Sequence, residues 1–385
     1  MAKARKGTAI QSKLMMIIYG EPFTGKSTLA SQLVYFKRPD GKPFRVLYLD
    51  PESGSIDDYV GEIIENGIDP ENLYIVYTQS LGEVRQYISK VKNNEDFYVL
   101  DEDGYETEEV VLDGDGEPFR ADAIVVDGAT ILNLTTKQGL IEFSKKRNKV
   151  KAEKDGLIGD AKLVKIEGAG LELKDYQTVN FKGQDLILDL MASGVHCIVT
   201  TREKPETESR LIDGKRESVE TGRKIPDGFK GMDYNAKTVI RTFVDDETGT
   251  VCAQIVKDRT GVHKKGEIVE DPTLLDYQVV INNTAKNKEF VLKNDLTKAV
   301  DVEQDIYKKE ILGEVGQPVE NENIEDVKIE SADALRKTII ATLKGMPAPK
   351  KAEIKSRLEK EGLPTAFKTV TDIDILKQVI NIIAA

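Results

Sequence analysis

The chain has 385 residues, of which 39% are hydrophobic and 32% charged, which predicts a globular protein with more than one domain or one large decorated domain. It has no apolar run near the roughly 18 to 20 residues of a membrane span, and its basic start lacks the apolar stretch of a secretory signal. Two cysteines and two histidines disfavour structural zinc and indicate a reducing cytoplasm, while the net charge of −12 argues against a surface coated for nucleic acid but leaves room for a local basic channel.

The first predicted elements are a strand, a glycine loop and a helix. Apolar residues at 14–19 predict the strand after a basic arm at 1–13, and residues 27–33 predict the helix. The loop between them fits the phosphate-binding pattern G-x-x-x-x-G-K-[ST], the P-loop. The P-loop residues are Gly20, Glu21, Pro22, Phe23, Thr24, Gly25, Lys26 and Ser27, and Thr28 follows them.

Each residue type in this loop suits a bound triphosphate. Glycines let backbone N–H groups approach the phosphates, and the helix N-terminus adds a positive dipole. Lys26 places a charge on the β- and γ-phosphates, and Ser27 offers its hydroxyl to Mg²⁺. We therefore expect ATP and Mg²⁺ as ligands. The alternative is a glycine turn before an ordinary helix.

Strands alternate with helices after the P-loop. Residues 44–49 and 73–77 predict strands, and residues 56–66 and 81–92 predict helices, which indicates a parallel sheet covered on both faces. Residues 95–120 predict a β-hairpin insertion with acidic turns. These turns lack the twelve-residue spacing and terminal glutamate of a calcium loop, so we interpret them as plain turns.

Two acids follow strands of this predicted sheet. Asp127 ends the apolar strand 123–127, which is the position of a Walker B acid that orders Mg²⁺ through water. No glutamate follows it directly. Glu52 follows the strand after the P-loop helix, and we predict it as the general base that activates water. The alternatives are a strand-end acid without a role and a solvated turn.

The rest of the chain predicts further elements and boundaries. These are a charged, mostly helical or irregular stretch at 137–180, a helix at 185–192, a strand at 196–201, a polar segment at 202–233, a hairpin of 238–244 with 250–256, and a last strand at 274–283. The predicted domains are the arm 1–13, a core at 14–285, a helical extension at 286–316, an acidic linker at 317–330 and a small helical module at 331–385. Helices are predicted at 293–313 in the extension and at 332–343, 350–361 and 373–383 in the module.

The motifs resemble those of the RecA family of P-loop ATPases. Residues 48–52 are similar to the RecA-type strand that ends in acid-x-Glu, and residues 255–261 are similar to the K-x-R-x-x-G segment of DnaB-type hexameric helicases. The resemblance implies a RecA-like α/β core with a mostly parallel sheet, assembled into a ring or filament. It also implies that Lys257 and Arg259 reach the γ-phosphate held by a neighbouring subunit. A basic turn that closes a hairpin is the alternative.

The order of the motifs over residues 14–283 looks like that of phage-encoded RecA-like ATPases that accompany recombination and single-strand annealing. This resemblance implies action on single-stranded DNA in the cytoplasm of a bacterial host. The chain departs from the RecA pattern at Thr201 and Arg202, where the family usually has a glutamine after the sensor strand. The coupling of nucleotide state to DNA is therefore expected to differ, with Arg202 as a candidate γ-phosphate sensor.

RecA-like cores bind nucleic acid through mobile loops after the Walker B and sensor strands. The basic residues in the corresponding segments are Lys145, Lys146, Arg147, Lys149, Arg210, Arg216, Arg223 and Lys224. In a ring or filament, loops from several subunits would line one channel and neutralise phosphates together. Glutamates dilute the second loop and few aromatic residues are interleaved, so a solvated charged surface is the alternative.

These patterns favour a Mg²⁺-dependent RecA-like ATPase that acts on single-stranded DNA in phage recombination, annealing or replication. One alternative is a hexameric DNA helicase or translocase, and another is a nucleotide-dependent assembly or scaffold protein without DNA binding. We expect a homo-oligomer without membrane association. The C-terminal module is a candidate to bind a single-strand binding protein or another replication protein.

Overall fold

The computed structural model describes residues 13–212 and 214–285 as two uninterrupted ranges. In the remainder it describes residues 300, 302–307, 339, 354–358, 360, 363–365 and 373–384. The chain divides into two compact units between Asp305 and Ile306. The predicted arm, except Lys13, and the predicted acidic linker lie outside the described residues. Among the helices that are described, none has the length and apolar character that a bilayer crossing requires.

A nine-stranded sheet forms the centre of the first unit. The strands of the unit are β1 (Met15–Gly20), β2 (Val46–Asp50), β3 (Leu73–Tyr77), β4 (Tyr98–Leu100), β5 (Glu106–Val110), β6 (Ala123–Asp127), β7 (His196–Ile212), β8 (Lys215–Asp227), β9 (Thr238–Val244), β10 (Val251–Asp258) and β11 (Ile268–Glu270). The order across the sheet is β11-β10-β9-β1-β7-β6-β2-β3, and β8 pairs only with β7.

The central strands run parallel. β1 pairs in parallel with β7 and β9, β2 pairs in parallel with β3 and β6, and β6 pairs in parallel with β7. Only the pairs β7–β8, β9–β10 and β10–β11 of this sheet are antiparallel. β4 and β5 form a separate antiparallel hairpin within the predicted insertion. The predicted α/β fold with a mostly parallel central sheet is therefore confirmed.

Helices cover both faces of the sheet. They are α1 (Lys26–Ser31), α2 (Asp57–Glu65), α3 (Leu81–Asn93), α4 (Ala129–Lys154), α5 (Gly159–Glu167), α6 (Leu173–Ala192), α7 (Met232–Asn235) and α8 (Gln278–Ala285). Alternate residues of β1 enter the two apolar cores: Met15 and Ile17 lie with residues of α3, α4 and α6, and Met16 and Ile18 lie with residues of α1, α2 and α8. Each such buried side chain stabilises the fold by about 2 kcal/mol, so the loop after β1 starts from a firmly held strand.

The segment at 202–233, predicted as polar and without regular structure, is mostly a long β-hairpin. β7 continues from the sheet to Ile212, and β8 returns from Lys215 to Asp227. Most of its side chains beyond Thr201 are exposed on both faces, so an apolar residue at every second position is not required. The pattern that identifies a half-buried strand is therefore missing from the sequence.

The strand predicted at 274–283 is wrong. A 3₁₀ turn at Leu274–Tyr277 leads into α8, and the last strand is β11 instead. Thr273 begins the turn, because its hydroxyl accepts a hydrogen bond from the Leu275 N–H. Leu274, Tyr277 and Ile281 are buried at helical spacing. Further apolar residues lie between them in the sequence, so this spacing could not be distinguished from that of a strand.

The described residues of the second unit are mostly helical. They include residues 354–358 and a helix at Ile373–Ala384. Leu358, Leu376 and Val379 are buried in a small apolar cluster of this unit. Helices were predicted at these places, and most of the predicted helix at 332–343 lies outside the described residues. Of the predicted helix at 293–313, residues 302–307 are described and helical.

Candidate functional site

The P-loop connects β1 to α1 with the predicted strand–loop–helix geometry. Gly20 closes β1 so tightly that a Cβ atom there would lie 2.2 Å from the carbonyl oxygen of Thr242. Gly25 precedes α1 in the left-handed region, at φ 77°. The close approach of Thr242 explains the glycine at position 20, and the positive φ explains the glycine at position 25. The loop side chain of Phe23 is 98% exposed.

Hydrogen bonds close the loop on itself. The Thr24 hydroxyl donates to the Glu21 carbonyl at 2.8 Å and lies 2.8 Å from the Thr242 hydroxyl. Lys26 Nζ donates to the same Glu21 carbonyl at 2.6 Å. Burial lowers the pKa of Lys26, and the carboxylates of Glu52 and Asp127 oppose that shift. The Lys26 ammonium group is therefore close enough to both predicted catalytic acids for their charges to affect its pKa.

Asp127 lies at the end of β6 and is 2% exposed. Its Oδ2 accepts hydrogen bonds from the hydroxyls of Tyr48, at 2.5 Å, and Ser55, at 2.8 Å, and its Oδ1 accepts one from Thr200. Burial raises the pKa of Tyr48 well above its usual range, and the Asp127 charge adds to that effect, so Tyr48 remains a donor. The sequence predicted the acid but not the three hydroxyls that orient it.

The donor set around the P-loop fits Mg²⁺ bound together with a nucleotide. Within the described part of the chain, no group of three or more His, Cys, Asp or Glu side chains could hold a metal ion alone. Mg²⁺ commonly binds through few protein groups, several waters and substrate phosphates. The Ser27 hydroxyl, at the start of α1, and a water held by Asp127 would supply the protein part. The ion would neutralise charge on the phosphates.

Asp50 anchors the loop after β2, a role that the sequence did not predict. It is fully buried at the end of β2, and its carboxylate accepts four hydrogen bonds at 2.8 to 3.0 Å from consecutive backbone N–H groups. The donors are Glu52, Ser53, Gly54 and Ser55. Asp50 therefore fixes the loop that carries Glu52. An aspartate followed by Ser-Gly-Ser three residues later is a turn signal that could have indicated this role.

Glu52 lies beside the end of β6, the predicted Walker B strand. Its Oε1 would be 3.4 Å from a Cβ atom built on Gly128, the residue after Asp127. The same oxygen accepts a hydrogen bond from an Arg202 guanidinium nitrogen at 3.2 Å. In the described part of the structure Oε2 has no hydrogen-bond partner. One carboxylate oxygen of Glu52 is thus held, and the other is open to accept a proton.

Lys257 and Arg259 lie toward the N-terminal ends of the parallel strands, opposite to the end that carries the P-loop. Asp258, between them, pairs with Thr238 at the start of β9, whereas Gly20 pairs with Thr242 near its end. At about 3.3 Å per residue, four residues of strand separate the two positions by about 13 Å along the strand direction. Lys257 Nζ donates to the carbonyls of residues 233 and 234, and burial lowers its pKa. These two predicted residues are therefore not brought to the P-loop of their own chain.

The first set of predicted DNA-binding residues lies on a helix rather than in a loop. Lys145, Lys146, Arg147 and Lys149 all belong to α4, because the chain after β6 continues directly into 26 helical residues. Arg147 pairs with the buried carboxylate of Asp175 at 2.7 Å, and Lys145 pairs with two glutamates. Lys146 and Lys149 are exposed and have no ion pair within 4 Å in the described ranges.

The second set lies on the β7–β8 hairpin. Arg210 and Arg223 pair with Glu208 and Glu206 of the hairpin, whereas Arg216 and Lys224 have no ion pair within 4 Å in the described ranges. Residues 203–227 contain six Lys and Arg against seven Asp and Glu. In contrast, residues 137–182 contain eleven Lys and Arg against seven Asp and Glu. Over the whole of α4, α5 and α6, residues 129–192, the count is eleven against nine, so this helical lobe carries a small basic excess within an acidic chain, and the hairpin does not.

Thr201 and Arg202, the predicted sensor residues, lie where β7 leaves the sheet. The Arg202 side chain reaches Glu52, as described, and the Thr201 hydroxyl donates to the Asp227 carbonyl at 2.6 Å. The preceding residue, Thr200, reaches Asp127. Three consecutive residues of β7 therefore contact the predicted Walker B acid, the base of the hairpin and the predicted general base.

No family model matches this chain, and no curated protein matches it in sequence. Among solved structures it is similar to the RadB recombinase, with 14% identity and a TM-score of 0.35 over 67% of this chain and 87% of that one. It is also similar to a KaiC-like protein from Pyrococcus horikoshii OT3, with 13% identity and a TM-score of 0.35 over 67% and 89%. Likeness at this level adds nothing to the strand order and site geometry described above.

Proposed function

We propose that this chain is a Mg²⁺-dependent, RecA-like ATPase. The observation that carries the proposal is the meeting of Lys26, Asp127 and Glu52 where parallel strands β1, β6 and β2 end. Ligands of open α/β sheets bind at this edge of the sheet. Lys26 would bind the phosphates, Asp127 would order Mg²⁺ through water, and Oε2 of Glu52 would accept a proton from the attacking water.

The direct test measures nucleotide binding and phosphate release by the full chain. We expect a fluorescent ATP analogue to bind in the presence of Mg²⁺ and ATP to be hydrolysed. Lys26→Ala should abolish analogue binding, whereas Lys42→Ala, a control at an exposed ion pair with Asp115, should bind normally. Equal analogue affinity in the Lys26→Ala and wild-type chains would contradict the proposal.

We further propose that the site is completed by a second copy of the chain in a ring or filament. Lys257 and Arg259 lie along the sheet away from their own P-loop, which fits residues that act on the nucleotide of a neighbouring subunit. Mixing Arg259→Ala chains with Glu52→Gln chains tests this. Some interfaces in the mixture would combine an intact Glu52 of one chain with an intact Arg259 of its neighbour. Recovery of activity supports action between subunits, and no recovery at any mixing ratio contradicts it.

Single-stranded DNA is the proposed partner, in phage recombination, annealing or replication. The excess of basic residues on the helical lobe supports this, as do Lys146 and Lys149, which lie three residues apart on α4. Phe143, which is 55% exposed on the same helix, offers a surface for base stacking. Arg147 is better explained as structural, since it binds Asp175 and lies 5.5 Å from the Phe143 ring centre.

Salt dependence of DNA binding tests this surface. Removing two phosphate contacts from single-stranded DNA should reduce the slope of log affinity against log salt by about 1.4. We expect that change in the double variant Lys146→Ala, Lys149→Ala with an oligo(dT) probe. A matched double variant, Lys264→Ala with Lys265→Ala, removes two exposed charges before β11 and should leave the slope unchanged. Equal slopes for all three proteins would contradict DNA binding by α4.

A second candidate function is nucleotide-dependent assembly without DNA. The balanced charge of the β7–β8 hairpin favours it, because a hairpin that enters a DNA channel would be expected to carry excess positive charge. Nucleotide-dependent sizing together with a DNA mobility-shift assay separates the two functions. Assembly without a mobility shift at low salt favours the second candidate, and strand displacement would instead indicate a helicase or translocase.

A further inference from the structure

The base of the β7–β8 hairpin is fastened to the start of α4 by threonine hydroxyls. The Thr130 hydroxyl accepts a hydrogen bond from the Arg202 N–H at 3.0 Å, and it also donates to the Asp227 carbonyl. Thr201 donates to the same carbonyl at 2.6 Å and lies 3.0 Å from the Thr130 hydroxyl. Arg202 and Asp227 are the first paired residues of the hairpin. The hairpin and the strand that ends in Asp127 are therefore joined within a few residues.

Arg202 extends this junction to the predicted general base. Its backbone belongs to the hairpin, and its guanidinium holds Oε1 of Glu52 at 3.2 Å. The contact is single and leaves Oε2 open, so it orients the carboxylate without occupying the oxygen that would accept a proton. A hydrogen bond between charged groups is stronger than one between neutral groups.

We propose that Arg202 is a positioning residue that ties Glu52 to the base of the β7–β8 hairpin, so that displacement of the hairpin displaces the Glu52 carboxylate. This proposal rests on the function proposed above. It assigns Arg202 a role different from that of a γ-phosphate sensor, because the side chain acts on the base rather than on the nucleotide. Thr200, two residues earlier on the same face of β7, holds Asp127, so a single strand orients both acids.

The Arg202–Glu52 ion pair can form and break without unfolding the loop that carries Glu52. The side chains of Arg202 and Glu52 are 52% and 34% exposed, and ion pairs in contact with water contribute little to stability. Glu52 is instead fixed at its backbone by Asp50. Loss of the pair would therefore move the carboxylate while the loop remains folded, as a coupling device requires.

A double-variant cycle separates positioning from phosphate sensing. We expect Arg202→Ala to lower kcat by roughly 10- to 100-fold while the affinity for a non-hydrolysable ATP analogue changes by less than about threefold. In a Glu52→Gln background, the same change should alter residual kcat by less than about twofold, because the two residues act as one unit. Added guanidinium should restore part of the activity of Arg202→Ala. A loss of analogue affinity, or independent effects of the two substitutions, would overturn the proposal in favour of a sensor role.

Lys204→Ala provides the matched control for this cycle. Lys204 also lies at the base of the hairpin and pairs with Asp227 at 3.1 Å, but it does not contact Glu52. We expect its kcat to remain within about twofold of wild type, since an exposed ion pair contributes little. A loss equal to that of Arg202→Ala would mean that any disturbance of the hairpin base is sufficient, and it would overturn the specific role of Arg202.

Carboxyl ¹³C NMR of the Glu52 side chain tests the link without relying on turnover. Deleting Thr207–Ile212 together with Lys215–Glu220 shortens the hairpin and retains its base. We expect this deletion to shift the Glu52 carboxyl signal in a chain with Arg202 and to shift it much less in Arg202→Ala, because only the side chain of Glu52 is joined to the hairpin. Equal shifts in both backgrounds, or none in either, would overturn the link. If the wild-type chain failed to hydrolyse ATP, the proposed function would fail, while the carboxyl signal would still decide the link.

Discussion

The hydroxyl of Tyr48 donates a 2.5 Å hydrogen bond to Oδ2 of Asp127, and both side chains are buried. Tyr48 lies on β2, which leads into the Glu52 loop, and Asp127 ends the adjacent strand β6, so the bond joins the two strands that position the predicted catalytic acids. Through this bond, the strand before Glu52 also orients the acid expected to order Mg²⁺.

Tyr48→Phe should lower both the apparent affinity for Mg²⁺ in ATP hydrolysis and the free energy of unfolding. Loss of the bond should lower the free energy of unfolding by about 1 to 3 kcal/mol, because a buried carboxylate loses one of its donors. The Mg²⁺ concentration for half-maximal ATP hydrolysis should rise by roughly tenfold, as for other residues that orient metal-binding groups. Denaturant melts and Mg²⁺ titrations of the ATPase measure the two effects.

Tyr277→Phe is the matched control for that change. The Tyr277 hydroxyl is buried and has no hydrogen-bond partner among the residues that the structure describes. Its removal should therefore leave the unfolding free energy within about 0.5 kcal/mol of wild type or raise it. If Tyr48→Phe behaved like Tyr277→Phe in both assays, the proposed role of the Tyr48–Asp127 bond would be wrong.

Asp50→Ala should impair catalysis more than nucleotide binding. The substitution removes the acceptor of four backbone N–H groups, so the loop that carries Glu52 loses its anchor. We expect a loss of about 2 to 4 kcal/mol in unfolding free energy from the unpaired groups. A misplaced catalytic group can reduce kcat by roughly 100-fold, and analogue binding at the P-loop should persist.

An exposed turn provides the comparison for Asp50. Asp101 accepts hydrogen bonds from the N–H groups of residues 103 and 105 in the β4–β5 turn. Asp101→Ala should therefore change local stability without changing kcat. Normal turnover in a folded Asp50→Ala chain would show that the anchor of the Glu52 loop is not needed for catalysis.

Gly20→Ala should disrupt the P-loop. The added Cβ would lie 2.2 Å from the Thr242 carbonyl and 2.6 Å from its hydroxyl, so strand β9 would have to move. Overpacking of this kind should cost about 3 kcal/mol or more and weaken analogue binding. Gly139→Ala on α4 meets no atom within 4 Å and should stabilise the helix by about 0.5 to 1 kcal/mol. Thermal melts of the two variants should therefore shift in opposite directions.

Stability should fall in acid because of His196. Burial lowers its pKa from 6.5 to about 3, and its Nδ1 accepts the Leu14 N–H at 3.2 Å. Between those two values the unfolded chain binds a proton that the folded chain does not, so stability rises with pH. The contribution is complete above pH 6.5 and is lost toward pH 3, at about 1.4 kcal/mol per pH unit.

Comparing wild type with His196→Gln isolates this contribution, since other groups titrate in both proteins. Glutamine retains an acceptor for the Leu14 N–H but does not bind a proton in this range. Urea melts at pH 7.5 and pH 5 should show a larger loss of stability for wild type than for the variant. An equal loss in both would contradict the assignment to His196.

Local motifs in the sequence identified much of the candidate site. Lys26, Glu52 and Asp127 could be placed because each follows a recognisable apolar strand, and parallel strands end at the same edge of a sheet. Asp50 could not be given its role in the same way, since its partners are backbone N–H groups, which every residue carries. The Glu52–Arg202 pair joins residues 150 positions apart, and only the register of β7 brings them together.

Solvent exposure explains most of what the sequence did not predict about the fold. The β7–β8 hairpin lacks an apolar face because neither face is covered, so its strands have no period-2 pattern. The basic residues on α4 were expected in a loop because the apolar pattern of α4 is weak over its exposed outer half. The site residues proposed for DNA therefore rest on charge, whereas those proposed for ATP rest on a motif and a fold.

Turnover by Glu52→Gln tests the central claim most directly. The full chain and the variant would be compared for ATP hydrolysis and analogue binding, with Glu62→Gln, an exposed position on α2, as the control. We predict that Glu52→Gln binds the analogue like wild type but loses roughly 100-fold or more in kcat, as expected for removal of a general base. Glu62→Gln should match wild type in both assays. Normal turnover in Glu52→Gln would contradict the account.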